Sequence, residues 1–372
     1  MTVMPDQITP RREKEEIWCF ASVNIIQEKM ENMRLKQIQI MRGLAILMVV
    51  IHHTLNNLPT SGGGYLLTLV NSDVTIFFVI SGYLFEKKFD KYKSDKFIFI
   101  KKKVSQLLVP YLFWSLILYI GAWVLHSFSG GKFSEILNGI GFVKLTGFQI
   151  AYRLITFQNS YVEYLWFIYI LFAYFVVNIY VGRRLNKLWS VVIILLIASG
   201  LNYYFNLPYL VWKFLQHYSD FLIGRISYGL IREDKVNGVK RGISVSLLIL
   251  TSFMVSVLNL HITDGLIYIW TITMAKHIMY WSISFCCFWF AFIIKDHKFA
   301  MLLGRTGDYS YDIYLMHTPY VVPVVAKAMY NLTGLRILSL IVTTLCGIVI
   351  PVIISSFVLR RIPILRRVAL GK

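Results

Sequence analysis

Ten apolar runs, each long enough to cross a lipid bilayer as a helix, dominate this chain. A helix needs about 20 residues to span the hydrocarbon core, and only helices and closed barrels satisfy every backbone polar group there. Charged residues make up 15% of the 372 positions, whereas a soluble domain carries about 25%. The sequence therefore predicts an all-α, polytopic membrane protein with about ten transmembrane helices, near residues 39–58, 65–85, 107–126, 163–182, 188–206, 208–231, 242–260, 272–294, 309–329 and 335–358.

Lysine and arginine are distributed unevenly between the connecting segments. The segment after the second predicted helix, EKKFDKYKSDKFIFIKKK, carries eight lysines, whereas NNLPTSGGG, NYYFNLP and HITDG carry neither lysine nor arginine. Because cytoplasmic loops of membrane proteins are enriched in both residues, this alternation predicts that both termini are cytoplasmic. The same distribution accounts for the formal net charge of +19, so we predict no nucleic-acid partner. The predicted surroundings of the helices are membrane lipid.

Three regions follow from this pattern. Residues 1–35 are predicted to form a cytoplasmic N-terminal segment, with Met33 as an alternative start; residues 36–360 form the transmembrane domain, and residues 361–372 a basic cytoplasmic tail. The four cysteines do not lie in metal-ligand spacing, so we predict no metal site. Four cations lie near or within predicted spans, where misplaced helix ends are one explanation: Lys213, Arg225, Lys276 and Lys327.

Arg42 and His53 bracket the first apolar helix, and Gly43 to Ile51 between them are all apolar or glycine. Eleven positions make almost three helical turns, so the two side chains lie within ~20° of one face and roughly 16 Å apart along the axis. Ionisable groups inside a membrane helix are costly and are commonly functional, and a histidine exchanges protons near neutral pH. His52 is turned ~100° from His53, so we expect it to face elsewhere.

Three other segments carry polar residues in notable positions. FFVISGYL at 77–84 contains Ser81 and Gly82, where the missing side chain permits close approach of a ligand or a second backbone. A lysine run at 101–103 precedes the third helix. In LGRTGDYSYDIYLMHTP the i, i+4 and i+7 spacing brings three side chains within about 40° of one helical face, namely Ser310, Tyr314 and His317.

Together these segments resemble the acyltransferase family 3 of integral-membrane O-acyltransferases, which modify sugars of cell-surface polysaccharides. The R-x10-H pattern of the family falls on Arg42 and His53. Its other patterns match Phe77, Phe78, Ser81 and Gly82 (FF-x-x-SG); Leu165, Trp166 and Phe167 (LWFL); Phe221 and Gly224 (F-x-x-G); and Ser310, Tyr314, Leu315 and His317 (S-x-x-x-YL-x-H).

The chain departs from the family at two positions. Many members carry an acidic residue two positions before the paired phenylalanines, where this chain has Thr75, and the nearest acid is Asp73. The basic segment before the third helix often carries two arginines. Here it reads KKKVSQLLVPY, so that Lys102 or Lys103 takes the first basic position and Gln106 occupies the second.

The resemblance implies a membrane O-acetyltransferase of a bacterial inner membrane. It would move an acetyl group from cytosolic acetyl-CoA, a co-substrate rather than a bound cofactor, to a sugar hydroxyl of an exopolysaccharide, an O-antigen or a lipid-linked sugar. His53 would act as general base or as transient acyl carrier. The residues assigned are His53, Arg42 and His317 for catalysis; Lys101, Lys102, Lys103 and Ser81 for donor binding; and Tyr314, Ser310, Trp166 and Glu163 for acceptor binding.

Two other functions stand beside this interpretation: a transporter, and a binding or sensor membrane protein with a degenerate acyltransferase fold. The retained Arg42, His53 and His317 argue against the second. A transporter or flippase for polysaccharide or lipid-linked sugar would also have many helices and buried charge. Transporters commonly show internal repeats with matching broken helices, and this sequence shows none. The resemblance assigns Glu163 to acceptor binding. The alternative is that Glu163 is a carboxylate exposed at the membrane surface. The sequence leaves the acceptor sugar and the oligomeric state open.

Overall fold

The computed structural model describes residues 36–59, 64–128, 146–156, 163–232, 238–261 and 265–372. These residues are mostly helical and include no β-strand, so the all-α prediction is confirmed for them. Six of their helices are long and apolar enough to cross a membrane: Lys36–Asn56, Leu67–Lys87, Lys96–Gly121, Leu188–Phe205, Leu266–Ile294 and Arg336–Leu359. The predicted segment 1–35 lies outside the described residues.

We number the helices in chain order. The first, α1, is Lys36–Asn56. The others are α2 Gly64–Val70, α3 Asp73–Lys87, α4 Phe89–Ser94, α5 Lys96–Lys103, α6 Val109–Phe128, α7 Gly147–Thr156, α8 Trp166–Val181, α9 Leu188–Phe205, α10 Tyr209–Arg232, α11 Gly238–His261, α12 Leu266–Ile294, α13 Lys298–Asp308, α14 Ser310–Met316, α15 Val322–Thr333, α16 Arg336–Ile354 and α17 Pro363–Leu370.

The number of membrane spans among the described residues is six by length and composition, against the ten predicted. Helix α8 has 16 residues, and α10 carries the buried charges Asp220 and Arg225. The predicted ninth span is interrupted at Thr318, whose φ of −131° and ψ of 153° are not helical, and it is divided into α14 and α15. The ten-helix count and the cytoplasmic termini stay predictions.

Helices α3 and α10 approach each other too closely for a side chain at the contact. A Cβ on Gly82 would collide with the carbonyl oxygen of Phe221, and a Cβ on Gly224 would collide with that of Val79. Small residues at such interfaces allow membrane helices to pack backbone to backbone. The two glycines of the FF-x-x-SG and F-x-x-G motifs therefore face each other's helices.

A second pair of glycines joins α1 to α13. A Cβ on Gly43 would collide with the carbonyl oxygen of Leu303, and one on Gly307 would collide with that of Gln39. Gly43 follows Arg42 directly, and Gly307 precedes Ser310 by three positions. This contact therefore fixes the position of Arg42 along the helix bundle relative to the start of α14.

A buried ion pair joins α3 to α10 next to the glycine contact, towards the C-terminal end of α3. Arg225 is 1% exposed, and its Nε and Nη2 donate to Glu86 Oε2 at 2.9 and 2.7 Å. Arg225 Nη1 donates to Asn178 Oδ1 on α8 at 2.6 Å, and Arg183 Nε donates to Glu86 Oε1 at 2.5 Å. Removing one member of such a network would leave a buried charge without its partner, which costs about 3–5 kcal/mol. Arg225 is thus an internal structural residue and not a helix end.

We predict that Gly82→Ala and Gly224→Ala each destabilise the protein. The added methyl group has no space at the α3–α10 contact, and overpacking of this kind typically costs about 1–3 kcal/mol. The measurement is the midpoint of thermal unfolding of the purified protein in detergent. Gly229→Ala is the matched control, because a Cβ at Gly229 on α10 meets no atom within 4 Å. An unchanged midpoint for Gly82→Ala would contradict the close contact.

Candidate functional site

Two cavities lie towards opposite ends of the helix bundle. The first, about 370 Å³, is near the C-terminal end of α3 and is called the lysine cavity; its lining includes Arg42, Ser81, Lys103, Gln106, Ser310 and Tyr314. The second, about 960 Å³, is near the N-terminal end of α3 and is called the histidine cavity; its lining includes His52, His53, Asp73, Trp166, His217 and His277. The predicted site residues are thus divided between two cavities.

The lysine cavity collects five of the predicted residues, from α1, α3, α5 and α14. Arg42 Nη1 donates to Gln39 Oε1 at 3.4 Å. The Oγ atom of Ser310 is buried and has no hydrogen-bond partner in the described part of the chain. Four cationic side chains line this cavity beside that hydroxyl: Arg42, Lys88, Lys103 and Lys372. Such a lining suits an anionic ligand with further polar groups.

The lysine run contributes one residue to this cavity. Lys103 Nζ lies 4.2 Å from the ring centroid of Phe175 and 3.4 Å from Oε1 of Gln106. Lys101 and Lys102 are exposed and do not line the cavity. Consecutive helical residues point about 100° apart, so only one of the three faces inward.

His53 and His317 lie side by side, with ring centroids 5.1 Å apart. His317 is fully buried, and its Nδ1–H donates to the carbonyl oxygens of Ile313 and Tyr314 at 3.0 and 2.9 Å. Since carbonyl oxygens only accept hydrogen bonds, Nδ1 of His317 carries the proton. In the neutral imidazole the Nε2 lone pair is then available, and Nε2 has no partner among the described residues.

His52 faces the same cavity as His53, contrary to the expectation that it faces elsewhere. The two imidazole rings are stacked with centroids 5.3 Å apart, and Nδ1 of His52 lies 2.9 Å from Oδ2 of Asp73. Both side chains line the cavity although they leave α1 about 100° apart. Asp73 therefore orients His52, and not His53, by hydrogen bonding.

A buried carboxylate from another helix contacts Thr75. Thr75 Oγ1 donates to Asp220 Oδ2 on α10 at 3.1 Å. Asp220 is fully buried, and it also lies 2.8 Å from His217 Nδ1, 3.0 Å from His277 Nδ1 and 2.7 Å from Trp281 Nε1. Sequence reasoning missed this cluster. Its one local signal is the i, i+3 spacing of His217 and Asp220 on α10.

Trp166 and Tyr314 each line one of the two cavities. Trp166 lines the histidine cavity, and its ring centroid is 5.3 Å from that of His217. The hydroxyl of Tyr314 donates to the carbonyl oxygen of Tyr164, and its ring lines the lysine cavity. The side chain of Glu163 lies outside the described part of the structure.

Aromatic rings form a path from one cavity to the other. Tyr314, on the wall of the lysine cavity, has its ring centroid 6.0 Å from that of His317. His317 is in turn 5.1 Å from His53, which lines the histidine cavity. The two cavities are therefore separated here by little more than the thickness of Tyr314 and His317.

A scan against family models matches residues 35–360 to the model described as an acyltransferase domain, that of acyltransferase family 3. The match covers nearly the whole chain, and the chain therefore belongs to this family. Comparisons with curated proteins and with solved structures give no match.

Proposed function

We propose that this membrane acyltransferase transfers an acetyl group from acetyl-CoA to a sugar hydroxyl of a surface polysaccharide or its lipid-linked precursor, in a bacterial inner membrane. The observation that supports this most is the position of His53 and His317. They lie between a cavity lined by cations and a cavity lined by histidines and aromatic rings. An acyl donor and an acceptor bound at opposite ends of the bundle would meet there.

The lysine cavity suits the donor. Coenzyme A carries phosphate groups on a long, mostly uncharged arm that ends in the thioester. Arg42 and Lys103 line the cavity from different helices and offer charge-assisted hydrogen bonds to phosphate oxygens. The arm would then extend past Ser81 towards Tyr314, which places the thioester next to His317. Lys101 and Lys102, which are exposed, attract the anion over a longer distance.

The histidine cavity suits the acceptor. Trp166, Tyr209 and Trp212 line it, and such rings offer flat apolar surfaces for the faces of a sugar together with polar edges. Asn57 and Gln216 line the same cavity and can hydrogen bond to hydroxyl groups. The acceptor hydroxyl would approach His53 from this side, because the His317 side chain is completely buried.

The transfer needs a base because a sugar hydroxyl is a weak nucleophile near neutral pH. In our proposal Nε2 or Nδ1 of His53 removes the hydroxyl proton as the oxygen attacks the thioester carbonyl carbon. The new C–O bond forms, the C–S bond breaks, and the proton passes from His53 to the sulfur of coenzyme A. Nε2 of His317, which has no hydrogen-bond partner among the described residues, would position or relay the proton. A transient acyl-His53 is the alternative course.

We predict that His53→Gln lowers the transfer rate about 10²- to 10⁴-fold, the range typical of a lost general base. The measurement is the O-acetyl content of the host's surface polysaccharide at matched membrane levels of the protein. His297→Gln is the control, because His297 is an exposed histidine at the start of α13. Undiminished acetylation by His53→Gln would refute the role of His53. Retained acetylation with failed polysaccharide export in a deletion strain would favour the transporter instead.

A second prediction distinguishes Lys103, which lines the lysine cavity, from the exposed Lys101. Lys103→Gln should raise KM for acetyl-CoA roughly tenfold or more with little change in kcat, because one charge-assisted bond contributes about 1.5–3 kcal/mol. Lys101→Gln should leave KM nearly unchanged at moderate ionic strength, since Lys101 is exposed. The assay follows release of the free thiol of coenzyme A from purified enzyme. Equal effects of both substitutions would argue against donor binding in the lysine cavity.

A further inference from the structure

The segment that follows α16, the last long apolar helix, folds back onto the lysine cavity. Its helix α17 packs against α6, where Nε1 of Trp114 donates to the carbonyl oxygen of Ala369 at 3.0 Å. Ala369 and Leu370 are buried. The cavity is lined by Leu370, Gly371 and Lys372. This segment therefore supplies part of the wall of the lysine cavity.

Gly371 allows this segment to lie directly on the turn that follows Lys103. The φ angle of Gly371 is 64°, and a Cβ at this position would lie 2.6 Å from the carbonyl oxygen of Gln106. Gln106 belongs to the π-helical turn Val104–Leu108, which begins directly after Lys103. Because Gly371 has no side chain, its backbone can contact this turn. The contact brings Lys372 to the same cavity as Lys103.

Two cations share one carboxylate at this wall. Asp312 is fully buried, and its Oδ1 accepts a hydrogen bond from Nζ of Lys372 at 2.7 Å. Its Oδ2 accepts hydrogen bonds from Nε of Arg360 at 2.9 Å and from the hydroxyl of Ser355 at 2.6 Å. One carboxylate balances only one of the two cations. The group of Asp312, Arg360 and Lys372 therefore retains a net positive charge.

The rest of the lining does not neutralise this charge. Among the described residues, the lining of the lysine cavity contains no aspartate or glutamate. Burial lowers the pKa of Lys372, attraction to Asp312 opposes this, and repulsion from Arg360 and Arg42 adds to it. Like charges that repel each other around one cavity are stabilised when an anion binds between them.

We propose that Lys372 binds a phosphate group of the acyl donor, together with Arg42 and Lys103, so that residues 363–372 form part of the donor site. This inference rests on the proposed function in taking coenzyme A as the ligand of the lysine cavity. The ammonium group of a lysine has three N–H donors. One of them contacts Asp312, and the same group can donate a charge-assisted hydrogen bond to a phosphate oxygen in the cavity.

The test is the direct binding of coenzyme A to the full-length purified protein in detergent, measured by isothermal titration calorimetry without an acceptor sugar. We expect Lys372→Gln to raise the dissociation constant roughly fivefold or more, because a charge-assisted hydrogen bond is lost at a partly exposed position. The difference should become smaller at high salt. Lys372→Arg should retain most of the affinity, since arginine also binds phosphate.

Two control variants separate phosphate binding from other effects of the substitution. Arg367→Gln removes an exposed cation of α17 that does not line the cavity, and it should leave the dissociation constant nearly unchanged. Arg360→Gln removes the other ion pair of Asp312, and Arg360 does not line the cavity either. An unchanged affinity in Lys372→Gln would overturn the proposal. An equal loss in either control variant, or a loss that Lys372→Arg does not restore, would also overturn it.

The proposal and the proposed function fail in different ways. Binding of coenzyme A that depends on Lys372, in a protein that transfers no acetyl group, would support the phosphate contact and refute the acetyltransferase. Acetyl transfer by a protein whose affinity for coenzyme A does not depend on Lys372 would do the reverse.

Discussion

The close contact between α3 and α10 is the interaction on which both cavities depend. It is possible because Gly82 and Gly224 leave no side chain between the two backbones. At that separation the Glu86 carboxylate reaches Arg225 at one end of the pair, and Thr75 reaches Asp220 at the other. Polar groups inside a membrane protein are stable only when such partners are in place. One helix pair thus supplies walls and internal polar partners to both ends of the site.

The sequence predicted well the features that depend on one helix alone. The apolar runs located the helices, and the 3.6-residue period placed Arg42 and His53 at opposite ends of one helix, where each lines a different cavity. The helical period does not show which face of a helix packs against other helices. Lys101, Lys102 and Lys103 are equivalent in the sequence, and only packing against Phe175 turns Lys103 inward. The assignment of three donor-binding lysines was therefore too broad for this cavity.

The predictions were incomplete where the site depends on contacts between helices. The Thr75 position suggested a missing acid, but Asp220 is 145 positions away in the chain and reaches Thr75 through the α3–α10 contact. His277 joins the same carboxylate from α12. Neither contact follows from local spacing. Apolarity also does not reveal that Thr318 interrupts a helix beside His317.

That interruption explains why His317 is suited to a chemical role. Ile313 and Tyr314 lie in the last turn of α14, which ends at Met316, and the carbonyl oxygen of Ile313 also accepts a hydrogen bond from the backbone N–H of His317. The imidazole Nδ1–H of His317 donates to both of their oxygens. These two contacts fix the tautomer and the ring orientation of His317. The Nε2 atom is then held, unpartnered among the described residues, next to His53 between the two cavities.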